Sequence, residues 1–212
     1  ICRKYTAQIQ RIERRGRLYN AGLLRNIGAK FAKGDYFMFI DVEVVVPQNI
    51  FVVAELTFLN KPDGLIIGRT FFDNKRRSLS FYGNLTIPQM KQLIAKEKLK
   101  LHVAGLSSLI LTERSWFYEA RGFDESYPHW DGLDNDFWYR SVLIKGKQAI
   151  YLDHLGHLPD NTRPYSFVSV KAFDPHDIII IRQFNDLSSR PPERIRSVIE
   201  AREAQRTDNY SN

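Results

Sequence analysis

Asp35-Tyr36-Phe37-Met38-Phe39-Ile40-Asp41-Val42-Glu43 is the stretch on which the reading of the fold turns. Tyr36–Ile40 is a continuous apolar run of strand length, without the polar alternation of a half-buried strand. Such a run predicts a strand covered on both faces, the habit of α/β sheets. It stops abruptly at Asp41. Just upstream, Leu23, Leu24, Ile27 and Phe31 recur at three- and four-residue steps, predicting a helix over Ala21–Ala32. Asn20 is placed to cap its start and Gly34 to end it.

Downstream of Asp41, Val44–Val46 runs into a turn at Pro47, and a helix is expected around Ile50–Asn60. Pro62-Asp63-Gly64 is a turn signal before a strand over Leu65–Thr70. Phe72–Leu101 is polar and mixed, with one helix expected over Pro88–Lys98. Leu106–Leu111 reads as a strand and Glu113–Glu119 as a short helix leading to Gly122. A helix over Asp134–Lys145 is closed by Gly146. A strand over Ala149–Leu152 and a loop through Pro164 come next, and Pro191–Gln205 reads as an exposed amphipathic helix. Strands alternating with helices predict an α/β domain.

The chain of 212 residues is 43% hydrophobic and 13% aromatic, enough to fill a core and to exclude wholesale disorder. Its length fits one domain. Apolar runs fall far short of the ~20 residues of a membrane span. Cys2 is the single cysteine, which excludes internal disulfides and cysteine-based zinc sites. No signal or transit pattern is visible, and a chain opening at Ile1 is expected to belong to something longer. The expected location is the cytoplasm, with the membrane surface as an alternative.

The formal charge of +7 is unevenly spread. Residues 1–40 hold Arg3, Lys4, Arg11, Arg14, Arg15, Arg17, Arg25, Lys30 and Lys33 against Glu13 and Asp35, and the rest of the chain is balanced. The cluster is consistent with phosphate, nucleic acid or an acidic membrane surface. A solvated helical face is the plainer reading, and charge alone favours it.

Three constellations carry potential chemistry. Asp41 and Glu43, two residues apart at a strand's carboxyl end, point the same way and suit Mg²⁺ or Mn²⁺ bridging to a diphosphate. A polar strand terminus is the plainer reading, and the two residues alone favour it. Trp130-Asp131-Gly132-Leu133-Asp134-Asn135-Asp136 opens a helix, where its acids either complement the dipole or provide a general base. His154-Leu155-Gly156-His157 has a spacing seen among metal ligands and also on ordinary surfaces.

The order of these motifs resembles the nucleotide-sugar-dependent glycosyltransferases of the GT-A fold, in their galactosyltransferase-type branch. That branch includes β-1,4-galactosyltransferases, chondroitin-polymerase modules and polypeptide GalNAc-transferases. Tyr19-Asn20-Ala21-Gly22-Leu23-Leu24-Arg25-Asn26-Ile27-Gly28 is similar to the family's aromatic-Asn-Arg-x-x-Leu-Leu-Asn-x-Gly helix. Asp35–Glu43 resembles the strand entering its Asp-x-Asp motif. Gly122–Tyr127 with Trp130–Arg140 resembles its Gly-Phe-Asp/Pro-x-x-Tyr and Trp-Gly-x-Glu-Asp-x-Asp-x-x-x-Arg signature. The match runs from about Tyr19 to about Arg163.

The resemblance implies an α/β GT-A (Rossmann-like) domain over 1–212 with a mixed central sheet lacking its first strand. Within it, 1–110 would be the nucleotide and metal half, 111–165 the acceptor and catalytic half, and 190–212 a terminal exposed helix. It implies metal-dependent, inverting transfer of a hexose or N-acetylhexosamine from a UDP-sugar to a glycan or other hydroxyl acceptor. Asp41, Glu43 and His157 would hold Mn²⁺ or Mg²⁺, with His154 in reserve, and Asp134 would be the base. Arg25, Asn26, Trp130, Gly132, Asp136 and His154 would serve donor and acceptor. Glu43 stands in for the usual second Asp, Leu133 for the Glu before the base, and Ala21 for the helix Arg, which Arg25 could replace. These departures keep open an inactive glycosyltransferase-like domain. A basic protein binding nucleic acid or another polyanion is the reading from a different class.

Overall fold

The computed structural model of the chain describes residues 20–41, 44–72, 79–100, 109–125 and 133–156. Strands β1 (Tyr36–Ile40), β2 (Val44–Val45), β3 (Gly64–Phe72), β4 (Leu109–Glu113) and β5 (Gln148–Gly156) form one sheet in the order β1-β4-β3-β5-β2. β3 and β5 run parallel, from Gly64 opposite Gln148 to Phe72 opposite Gly156, and the other neighbours are antiparallel. The domain is therefore α/β with a mixed, open sheet.

Helices α1 (Ala21–Phe31), α2 (Ile50–Asn60), α3 (Leu79–Gly83), α4 (Ile87–Glu97), α5 (Arg114–Glu119) and α6 (Leu133–Trp138) join and cover the strands, and α6 runs on into a π-turn over Tyr139–Ile144. β1 is buried on one face and half covered on the other, where Tyr36 is exposed and Met38 and Ile40 are partly buried, so the expected burial on both faces is met only in part. Phe37 and Phe39 pack with Leu65, Ile67, Ile110, Phe117, Phe123 and Phe137, while Met38 and Ile40 pack with Ile50, Ala54, Phe58, Leu109 and Leu111 on the other side. Phe117 is the centre of the first layer, with ring centroids 5.4 Å from Phe37, 5.0 Å from Phe39 and 5.8 Å from Phe123. Such ring pairs add about 0.5–1.5 kcal/mol each beyond plain burial. Among the described residues no helix is long and apolar enough to cross a membrane.

Within the described residues the expected helices and strands are present, with several shifts, and α1 buries Ala21, Gly22, Asn26 and Ala29 rather than the stripe of Leu23, Leu24, Ile27 and Phe31 that predicts it. Asn20 caps α1, its side chain accepting from the Leu23 N–H at 2.8 Å. The helix stops with Ala32 in extended conformation, so Gly34 is not its left-handed terminator. Gly146, at φ +71°, does take that role after the π-turn. β4 extends to Glu113 rather than ending at Leu111. β5 continues through Gly156, where the sequence suggests loop after Leu152, because parallel pairing with β3 carries it on. The short α3, five residues long, is too brief for a period to show. The expected helix over 191–205 and the basic cluster before Asn20 lie outside the described residues.

Candidate functional site

α1 is built for close packing against the segment that leads into α6. Gly22 lacks a Cβ that would come within 3.0 Å of Leu133 Cδ1 and 3.1 Å of the Asp124 carbonyl oxygen. Two asparagines, one capping the helix and one within it, then hold the loop before α6. The Asn20 amide donates to the Glu125 carbonyl at 2.8 Å. Buried Asn26 accepts from the Phe123 N–H at 2.9 Å, and donates to the Phe123 carbonyl at 2.8 Å and to Glu125 Oε1 at 3.0 Å. An amide side chain matches a backbone amide donor for acceptor, so Asn26 fixes this loop as an added strand residue would.

The loop turns at Arg121 and Gly122, both at positive φ (59° and 62°). A Cβ on Gly122 would lie 2.6 Å from Asn26 Oδ1, so both backbone freedom and close approach require glycine here. Arg140 closes the turn from the other side. It pairs with Asp136 at 2.9 Å one helical turn earlier, and donates to the carbonyls of Ala120 and, at 2.8 Å, Gly122. The π-turn explains how Arg140 can do this while Ser141 is also buried: widening the helix lets two consecutive residues face inward. Ser141 Oγ accepts from the Trp116 indole N–H at 3.0 Å.

This frame brings three expected site residues together. Arg25, the residue before Asn26 on α1, donates to Asp41 at 2.8 Å just beyond β1, and to Asp134 in the first turn of α6. Its guanidinium lies 5.1 Å from the Phe123 ring centroid. The Asp134 side chain is 8% exposed and the Arg25 side chain 15%, whereas Asp41 is 40% exposed and forms the open side of the corner. Burial by itself would lower the Arg25 pKa, but the charges of Asp134 and Asp41 outweigh it and raise the value. Arg25 is thus a fixed cation, and it allows two carboxylates to share a confined space.

Sequence reasoning assigns Asn26 and Asp136 to donor or acceptor. In the structure their polar atoms point inward, Asn26 to the Phe123–Glu125 loop and Asp136 to Arg140. Glu43, Trp130, Gly132 and His157 lie outside the described residues. His154 falls in β5 opposite Thr70. Among the described residues no three His, Cys, Asp or Glu side chains converge as a metal-binding group. Arg69 pairs with Asp153 at 2.6 Å. Trp116 and Phe117 are core. Arg140 and Phe123 are not singled out by the sequence reading, although the four-residue step from Asp136 to Arg140 is a visible signal for the first of these.

No family model matches the chain, and no curated protein matches it. The geometry of this corner and the motif resemblance are therefore what point to a function.

Proposed function

We propose that the chain is a metal-dependent, inverting glycosyltransferase of the GT-A type, moving a hexose or N-acetylhexosamine from a UDP-sugar to a glycan or other hydroxyl acceptor. The observation that carries this reading is the meeting of Arg25, Asp41 and Asp134 on one guanidinium. They come from three separate segments, and each stands at the position that the motif resemblance gives a functional role. The mixed sheet, with Asp41 at the carboxyl end of β1, is compatible with such a domain.

In this reading Asp134 accepts the proton of the acceptor hydroxyl as its oxygen bonds to the anomeric carbon of the donor. The bond from that carbon to the diphosphate breaks with its electron pair, and configuration inverts. Asp41 offers a partly exposed hard oxygen, the donor type that Mn²⁺ and Mg²⁺ take, and Glu43 and His157 complete the set by resemblance. A bound cation supplies charge neutralisation for the departing UDP. Trp130, Gly132 and His154 are assigned to the sugar sites. Arg25 positions both carboxylates.

Asp134→Asn should abolish transfer while leaving Mn²⁺ and UDP binding nearly intact, as read by a product assay beside titration calorimetry. Turnover retained by this variant removes Asp134 as the base. One observation favours a second reading, a glycosyltransferase-like domain without activity: Arg25 holds one oxygen of each carboxylate, so the residue assigned as base is engaged by the protein itself. That reading predicts UDP binding by the wild-type chain with no transfer to any acceptor.

A further inference from the structure

Helix α2 is apolar on two faces, and among the described residues only one of them is covered. Ile50, Ala54 and Phe58 are buried against the sheet. On the outer side Phe51 is 67% exposed, Val52 58%, Leu56 54% and Leu59 68%, and Glu55 is the helix's single charge. A surface helix ordinarily carries charged residues on its outer face. Single exposed apolar residues are commonplace, but four on one side of a short helix, with exposed Glu55 between Phe51 and Leu59 as the one interruption, form a patch of the kind that marks an interaction site.

Lysines stand at the C-terminal cap of α2 and along α4, the helix that starts beside its N-terminal end. Lys61 is exposed at the C-terminal cap of α2. α4 begins beside the other end, where Asn49 Oδ1 accepts from the Ile87 N–H at 2.9 Å and the Gln48 N–H donates to the Leu85 carbonyl at 2.9 Å. From there Lys91, Lys96, Lys98 and Lys100 are exposed, with Glu97 the one acid among them. Apolar side chains flanked by flexible lysines match an anionic lipid surface, whose acyl boundary takes the first and whose phosphates take the second. A second copy of the same face would bring like charges against each other.

We propose that the outer face of α2 docks the protein on anionic membranes, with Phe51, Val52, Leu56 and Leu59 entering the headgroup boundary and Lys61 and the α4 lysines meeting lipid phosphates. An 11-residue helix lies in that boundary and does not span it. The docking is independent of the proposed catalytic activity.

Flotation of the full chain with phosphatidylcholine vesicles, with and without about one-quarter phosphatidylglycerol, tests it. Wild type should float with the anionic vesicles and release as salt rises. Phe51→Ser/Leu59→Ser should lower partitioning roughly tenfold or more, and Lys91→Glu/Lys96→Glu by several-fold on anionic vesicles alone. Both variants leave the basic residues 1–40 unchanged, so equal binding by wild type and variants overturns the proposal and points to that segment. Absence of wild-type binding also overturns it. So does a wild-type dimer that becomes monomeric in the serine variant without any vesicle binding, which assigns the face to a second copy. Leu59→Trp keeps the face apolar, and its fluorescence should shift to the blue on anionic vesicles. No shift contradicts the docking.

Discussion

Two arginines hold two carboxylate corners around the same loop, and they do different things. Arg140 and Asp136 are 4% and 3% exposed, and the remaining donors of Arg140 are spent on the carbonyls of Ala120 and Gly122. That corner is closed on the protein itself. Arg25 lies between Asp134, nearly buried, and Asp41, 40% exposed, so its corner has one side open to a ligand. A closed ion pair specifies structure, and an open one leaves charge available for chemistry.

The largest expected effect lies in the closed corner. Asp136→Ala leaves the Arg140 charge without its carboxylate in a buried setting and should cost about 3–5 kcal/mol of stability in urea unfolding. A loss near zero would mean that Arg140 reaches water and that the two corners are alike. Next, Gly122→Ala forces a Cβ into a left-handed position 2.6 Å from Asn26 Oδ1 and should cost about 2–3 kcal/mol. Its thermal midpoint should fall accordingly, and an unchanged midpoint would show that the Asn26 clamp yields freely. Arg25→Met should cost less than Asp136→Ala, about 2 kcal/mol, because Asp41 turns to solvent although the nearly buried Asp134 loses its cation. A loss as large as that of Asp136→Ala would break the comparison and make Arg25 a structural lock.

Much of the fold is legible in local pattern. The period of Leu23, Leu24, Ile27 and Phe31 gives the existence of α1 but not its buried face, which is Ala21, Gly22, Asn26 and Ala29, and the unbroken run Tyr36–Ile40 gives a strand whose second face is only half covered. The corner is legible in part. Arg25, Asp41 and Asp134 are found as separate motif positions, but their shared contact spans more than a hundred residues and no local period encodes it. Asn26 reads as a ligand residue for the same reason: its partners at Phe123 and Glu125 are 97 and 99 positions away. The π-turn leaves no trace in the apolar spacing of Phe137, Trp138, Val142 and Leu143. It shows only as two consecutive polar residues, Arg140 and Ser141, that both find buried partners.

The open corner is the central claim, and UDP binding tests it most directly. Titration calorimetry of UDP into the wild-type chain with and without Mn²⁺, repeated with Asp41→Ala, should show metal-dependent binding that the substitution abolishes. UDP affinity that is the same without Mn²⁺, or unchanged by Asp41→Ala, would contradict the assignment of this corner to a nucleotide-sugar donor.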